Sequence, residues 1–173
     1  MHSATLSDTD DIDLILTMHP HGWSTCFIYI DGKAYELAIT HIFNDPYEEL
    51  IQSLISLLKG EKSSKFFWYG EPGGERIEIT RLESRHDAVI VDVQGFREDW
   101  GREITSFERI VSFEIKLKAL LIIFYMQLKK IFLLLKERNY AKNRRSDFPF
   151  QKFIEFEKLV MCFLDIEFKD QRI

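Results

Sequence analysis

The sequence predicts an α+β fold in which a curved antiparallel sheet of about five or six strands packs two main amphipathic helices on one face. Several segments alternate apolar and polar residues, which is the period of a strand. Two others repeat apolar residues at three and four positions, which is the period of a helix. The order of these segments contains no repeated β-α-β unit, so a parallel sheet is disfavoured.

Composition limits the classes of function. The 173 residues are typical of one domain, and 46% of them are hydrophobic, including 15 Phe. The 28 acidic and 23 basic side chains give a net charge of −5, which disfavours nucleic acid as a partner. Cys26 and Cys162 have no neighbouring cysteine, so each is expected to be a small buried hydrophobe in a reducing compartment.

Two segments bear on where the protein is located: the N-terminal leader and the most apolar stretch of the chain. Residues 1–17 are acidic and weakly periodic, which predicts a mobile tail or an added edge segment before a single domain at 18–173. This leader lacks the basic and apolar regions of a secretion signal. The most apolar segment, 119–135, is interrupted by Lys129 and Lys130, so no transmembrane helix is expected. A cytoplasmic location follows as an expectation.

The first elements are a hairpin and a helix. Alternation over 23–30, the dipeptide Asp31-Gly32 and the segment 34–40 predict two antiparallel strands. Asp45 followed by Pro46 is typical of a helix start. The helix should bury one stripe and leave Ser53 outside it; the stripe comprises Tyr47, Leu50, Ile51, Leu54, Ile55 and Leu58.

A second hairpin is expected at residues 66–82, with its turn at Glu71-Pro72-Gly73-Gly74. Glu75, Ile77 and Ile79 alternate with polar residues, which puts these three side chains on one face. A third strand at 88–93 completes a meander.

The remaining elements lie after the meander. Residues 111–117 alternate as a strand, and a long helix should then run to about Asn139. Phe148-Pro149 is expected to begin a shorter helix. The segment 161–168 fits either a final strand or a continuation of that helix.

Four consecutive aromatic residues, Phe66 to Tyr69, suggest an interaction surface. In a strand they divide into two pairs on opposite faces, and helices on one side cover only one pair. The other pair should remain available to a protein partner or to a second copy of the chain. The candidate interface therefore comprises Phe67, Trp68, Tyr69 and Glu71.

An alternative polar site comprises Glu71, His86 and Asp87, since carboxylates and a histidine can serve as acid and base. The sequence has no nucleophile elbow, phosphate loop or cofactor motif, and the pair His19 and His21 lacks further metal ligands. No catalytic residue, cofactor or metal is therefore expected.

Several short motifs resemble those of a group of uncharacterised bacterial α+β proteins, some of which look like the immunity or accessory proteins found beside secreted toxins. The motifs are Gly22-Trp23-Ser24, Asp45-Pro46, Glu71-Pro72-Gly73, Tyr140 and Phe148-Pro149. The resemblance implies an architecture and no reaction. The predicted function is a non-enzymatic protein-binding or accessory role, and an immunity-like role is one form of it. The alternative is a small-ligand-binding protein or an enzyme with a pocket between the sheet and the long helix.

Overall fold

The computed structural model describes residues 10–97 and 103–170, with side chains described through residue 165. The strands are β1 (Ile12–His19), β2 (Trp23–Ile30), β3 (Lys33–Thr40), β4 (Ser63–Tyr69), β5 (Gly74–Arg81), β6 (Ala88–Phe96) and β7 (Glu108–Lys116). The helices are α1 (Pro46–Leu58), α2 (Leu117–Leu134), α3 (Arg138–Ala141) and α4 (Phe150–Asp170), with a 3₁₀ turn at Arg145–Asp147.

The α+β class is confirmed, but the prediction of one sheet of five or six strands is wrong. The strands form two antiparallel sheets in the orders β1-β2-β3 and β4-β5-β6-β7. At the outer edge of β4 the Phe67 N–H donates to Glu49 Oε2 at 3.2 Å, and Asn44 Nδ2 donates to the Phe67 carbonyl at 2.9 Å. Because α1 and the turn before it bond these groups, β3 does not pair with β4 there.

The edge of β1 is covered in the same way by α2. The Leu16 N–H donates to Gln127 Oε1 at 3.2 Å, and Lys130 Nζ donates to the Leu16 carbonyl at 2.8 Å. Leu14 and Leu16 are buried. Of the two alternatives for the leader, the described part from Ile12 forms the added edge segment rather than a mobile tail, and the boundary at residue 17 falls within β1. Residues 1–9 of the expected tail lie outside the described residues.

The Asp31-Gly32 turn, which has a strong local signal, forms as expected. Asp31 and Gly32 have φ angles of +51° and +73°, and Ile30 pairs with Lys33 across them. Positive φ at both central positions matches the right-handed twist of the two strands. The start of α1 is also confirmed, since Asp45 Oδ1 accepts the Glu48 N–H at 3.0 Å. Ser53, expected outside the buried stripe, is instead buried and donates to Ser64 Oγ at 2.6 Å.

Replacing Asp45 with alanine should lower the free energy of unfolding by about 0.5 to 2 kcal/mol, because the Glu48 N–H loses its acceptor. Chemical denaturation of both proteins measures this difference. Asp45→Asn serves as the control, since an asparagine side chain also accepts this bond. An equal loss in the two variants would contradict the assigned role of the Asp45 carboxylate as the cap.

The C-terminal half departs from prediction in two places, the end of the long helix and the exposure of Cys162. The long helix ends at Leu134 rather than near residue 139. Residues 161–168 continue α4, which is one of the two alternatives that the sequence left open. Arg145 Nη1 donates to the Leu135 carbonyl at 3.2 Å. This bond supplies a donor to one of the carbonyls that lack a helical partner at the end of α2. Cys26 is buried as expected, but Cys162 is exposed on α4. None of the described helices has the length and apolar character needed to cross a membrane.

Candidate functional site

The four consecutive aromatics of β4 alternate between two environments. Phe66 and Trp68 are each only 2% exposed and face the core, whereas Phe67 and Tyr69 are half-buried on the outer face of the four-stranded sheet. Trp68 Nε1 donates to the Pro46 carbonyl at 3.3 Å, which fixes the indole beneath α1. The prediction that Trp68 contributes to an exposed interface is therefore wrong.

The outer pair belongs to a larger cluster that we call the aromatic surface, comprising Phe43, Phe67, Tyr69, Phe96 and Phe107. Tyr69 lies at the centre, with its ring centroid 5.5 Å from that of Phe43 and 5.6 Å from that of Phe96. Phe96 in turn lies 6.0 Å from both Phe67 and Phe107. Phe43 is 47% exposed, so the cluster opens to solvent at this ring.

Arg76 borders the aromatic surface on the same face. Its guanidinium carbon is 3.8 Å from the centroid of the Phe107 ring, and Nη2 donates to Gln94 Oε1. Gln94 donates to Asp92, which also accepts from Arg109 Nε at 2.7 Å. An apolar centre beside a hydrogen-bonded polar margin is the arrangement found in protein interfaces.

Sequence reasoning missed Phe43, Phe96 and Phe107. A signal for Phe96 exists in β6, where Asp92 and Gln94 precede it at alternate positions and so place it on a polar face. The loop positions of Phe43 and Phe107 carry no comparable pattern.

The alternative polar site does not form. Glu71 is exposed in the β4–β5 turn, whereas His86 and Asp87 are exposed in the β5–β6 turn. Consecutive turns of an antiparallel meander lie at opposite ends of the sheet, and the eight residues of β5 separate these two turns by about 23 Å. Asp87 is instead within 3.8 Å of Arg85, and its carbonyl accepts the Leu117 N–H at the start of α2.

The expected pocket between the sheet and the long helix is filled. The space enclosed by both sheets and α2 is a cavity of about 20 Å³. It is lined by apolar side chains that include Leu14, Phe66, Val93 and Phe124. This volume holds at most about one water molecule and has no polar partner for it.

A larger concave space of about 640 Å³ lies instead at the end of the four-stranded sheet, beside the β4–β5 turn. Its lining includes Glu75, Gly95, Arg97, Glu108 and Ile110. Glu75 pairs in register with Trp68 on one side and Gly95 on the other, and Gly95 pairs with Glu108. The Ile110 side chain covers Gly95, with its Cδ1 atom 3.2 Å from the position that a Cβ at residue 95 would take.

The Glu75 carboxylate is electrostatically unusual. Burial raises the pKa of Glu75 to about 7, because the site disfavours the ion. Its buried Oε2 has no hydrogen-bond partner among the described residues. Burial, and then the nearby Glu75 charge, also raise the pKa of the Cys26 thiol on β2, so this thiol stays neutral. A buried, strongly perturbed carboxylate beside a cavity is a candidate for function.

The sequence contained the signal for Glu75. It alternates with Ile77 and Ile79, so the expected face of these three residues carries one carboxylate among apolar side chains. The structure places Ile77 and Ile79 in the core and Glu75 at its edge.

Two other features have simpler environments. On α2, the side chains of Met126, Leu133 and Leu134 are exposed. The His19 ring on β1 lies 3.1 Å from Thr25 Oγ1. Among the residues that the structure describes, no three His, Cys, Asp or Glu side chains are grouped to hold a metal ion.

Comparison with known proteins gives no assignment. No family model matches the chain, and neither a curated protein nor a solved structure matches it. The resemblance to bacterial immunity and accessory proteins therefore stays a prediction.

Proposed function

We propose that this chain is a non-enzymatic protein-binding protein whose aromatic surface receives an apolar segment of a partner protein. The proposal rests on the exposed Phe43 ring and its packing against Tyr69, which continues through Phe96 to Phe107. Aromatic side chains contribute most of the affinity in many protein interfaces. An immunity-like role, which the motif resemblance implies, is one form of this function.

Geometry favours this surface over other apolar positions on the strands. The aromatic surface joins residues from β4, β6 and two loops, so its rings support one another and lose little conformational freedom on binding. Arg76 and Gln94 supply hydrogen-bonding groups at its margin. Glu71, in the exposed turn next to β4, can contact the same partner.

The test is a double variant, Phe67→Ser with Tyr69→Ser, compared with the wild type in affinity capture from native extract followed by quantitative mass spectrometry. A partner captured by the wild type is then measured directly by titration. We expect the double variant to weaken that association by about 30-fold or more, which corresponds to about 2 kcal/mol.

The chain offers a matched control. Phe27 and Tyr29 on β2 form a stacked pair with a 6.5 Å ring separation, close to the 6.3 Å separation of Phe67 and Tyr69. The variant Phe27→Ser with Tyr29→Ser should bind the partner as the wild type does. Equal losses in both double variants, or a loss only after Met126→Ser with Leu133→Ser, would contradict the proposed surface. Sedimentation of each protein identifies any effect that comes from self-association.

A further inference from the structure

A groove of about 700 Å³ lies between helix α1 and the outer edge of β4. Its lining on α1 includes Glu48, Glu49, Gln52 and Ser56, which recur at three and four positions and so lie along one face of the helix. Residues 63–65 of β4 form the opposite wall. From Glu48 to Ser56 the helix rises about 12 Å, which is the length of about four residues of an extended chain.

The β4 wall of the groove carries unused backbone groups. Phe67 directs its backbone N–H and carbonyl outward, where Glu49 and Asn44 bond them. Because alternate residues of a strand point to the same edge, Ser63 and Lys65 also direct these groups outward. Both residues are exposed, and no described residue forms a hydrogen bond with their outward backbone groups. An open strand edge of this kind can pair with an extended segment of another chain.

The charges along the groove are mostly negative. Four carboxylate side chains line it, and Lys65 is the one cation among the described residues that do so. The carboxylates are those of Asp45, Glu48, Glu49 and Glu61. Within the described part of the chain, none of these four forms an ion pair. A segment that lies in the groove therefore gains most from basic side chains.

The two faces of such a segment would meet different surroundings. Helix α1 lies on the core side of β4, since Trp68 on that face donates to the Pro46 carbonyl. Side chains of the segment that point to the core side therefore meet the carboxylates of α1. Those that point the other way lie beside Lys65 and Phe67, on the outer face of the sheet.

We propose that the groove binds an extended basic segment of the partner protein, as an added strand beside β4. Lys or Arg side chains at alternate positions of the segment face α1, and main-chain hydrogen bonds join it to Ser63 and Lys65. The inference rests on the proposed function, because Phe67 belongs to the aromatic surface and the same segment continues onto those rings. The main-chain bonds supply affinity, and the carboxylates select a basic partner.

The probe is the peptide acetyl-Lys-Thr-Lys-Val-Lys-Phe-amide, titrated into the whole chain at constant ionic strength and followed by amide NMR shifts. We expect saturable shifts at Ser63, Lys65 and Phe67, together with slower amide hydrogen exchange at Ser63 and Lys65. The same peptide with Glu in place of each Lys is the charge control and should not bind. Equal binding of the two peptides would overturn the proposal.

Two methylated peptides test the added strand without changing the protein. One carries N-methyl groups on its Lys residues and the other carries them on the Thr, Val and Phe residues between them. Only one of these two sets of N–H groups can face β4, because they alternate along a strand. One methylated peptide should therefore lose binding while the other keeps it. Equal binding of both would exclude strand pairing.

Variants of the chain test the carboxylates. Glu48→Gln with Glu61→Gln should weaken binding of the probe by about fivefold, since each change removes a charge from the rim of the groove. Glu83→Gln with Glu137→Gln is the matched control, because it removes two charges from exposed positions elsewhere. The control should bind within about twofold of the wild type. Equal losses in the two double variants would mean that only the net charge of the protein matters, against the proposal.

A further pair of variants tests the open edge. Lys65→Pro removes the outward N–H, and proline is accepted at a strand edge whose N–H faces solvent. This variant should bind the probe about tenfold more weakly, because it loses a donor and its ring obstructs the edge. Lys65→Ala, which removes the same cation but keeps the N–H, should bind at least as tightly as the wild type. Equal affinity of these two variants would contradict an added strand.

Two outcomes identify a different occupant or separate this inference from the proposed function. If the chain alone sediments as a dimer that Lys65→Pro dissociates, the occupant is a second copy and the proposal is wrong. If capture of a partner is lost in Phe67→Ser with Tyr69→Ser but unaffected by Lys65→Pro and by Glu48→Gln with Glu61→Gln, the groove is not used. That result overturns this inference and leaves the proposed function of the aromatic surface intact.

Discussion

Replacing Trp68 with alanine should lower the free energy of unfolding by about 3 to 5 kcal/mol, because it removes a fully enclosed indole and leaves a cavity. Trp68 is 2% exposed and packs edge-on against Phe66 at 5.2 Å. The change also removes the hydrogen bond from the indole N–H to the Pro46 carbonyl in the first turn of α1. Chemical denaturation monitored by circular dichroism measures the loss.

Tyr29→Ala is the matched control for this prediction, because Tyr29 is a strand aromatic that is 39% exposed. Its loss should be less than about 1 kcal/mol. A further variant, Trp68→Phe, tests the functional assignment, since it changes no ring of the aromatic surface. Partner capture that fails in a folded Trp68→Phe variant, but survives Phe67→Ser with Tyr69→Ser, would show that the wrong pair of β4 was assigned to the partner.

The second large effect concerns Glu75 and pH. Burial raises the pKa of this carboxyl from 4.5 to about 7 in the folded chain. In this range the unfolded chain binds fewer protons at residue 75 than the folded chain does, so the Glu75 contribution lowers stability as pH rises. The contribution is nearly absent below the unfolded pKa and reaches its full unfavourable value above about pH 7.

Glu75→Gln should therefore gain stability over the wild type by about 2 to 3 kcal/mol more at about pH 8 than at about pH 5. Burying an amide in place of the carboxyl has an effect on stability that does not change with pH. Comparing the stability difference between variant and wild type at the two pH values therefore removes it. Parallel denaturation curves measured across this range test the prediction. Glu78→Gln on the outer face is the control and should follow the wild-type profile. Parallel stability profiles for Glu75→Gln and the wild type would mean that the carboxyl is solvated in the folded chain.

A stabilising effect of Glu75→Gln would also bear on function. A residue that lowers the stability of the folded protein is typical of binding and catalytic sites, because these sites retain such groups for function.

Part of the candidate site follows from sequence alone. Alternation separates Phe67 and Tyr69 from Phe66 and Trp68, and it puts Glu75 on the face of Ile77 and Ile79, because successive side chains of any strand point to opposite sides. It does not identify the covered face. Trp68 was assigned to the interface for this reason, and only the packing of α1 over it resolves the choice.

Other parts required the three-dimensional arrangement. Glu71 and His86 are close in sequence, but an antiparallel meander places their turns at opposite ends of β5. The aromatic surface gathers Phe43 from the loop before α1 and Phe107 from the loop before β7, and no local pattern encodes such a meeting.

By itself the sequence determined the elements whose signals are local. Asp31-Gly32 specifies a hairpin through its positive φ angles, and Asp45-Pro46 specifies a helix start through one side-chain hydrogen bond. Only the tertiary structure decided that the strands divide into two sheets. That division depends on Glu49 and Gln127 bonding the edges of β4 and β1, and such bonds between distant residues form only when the helices dock.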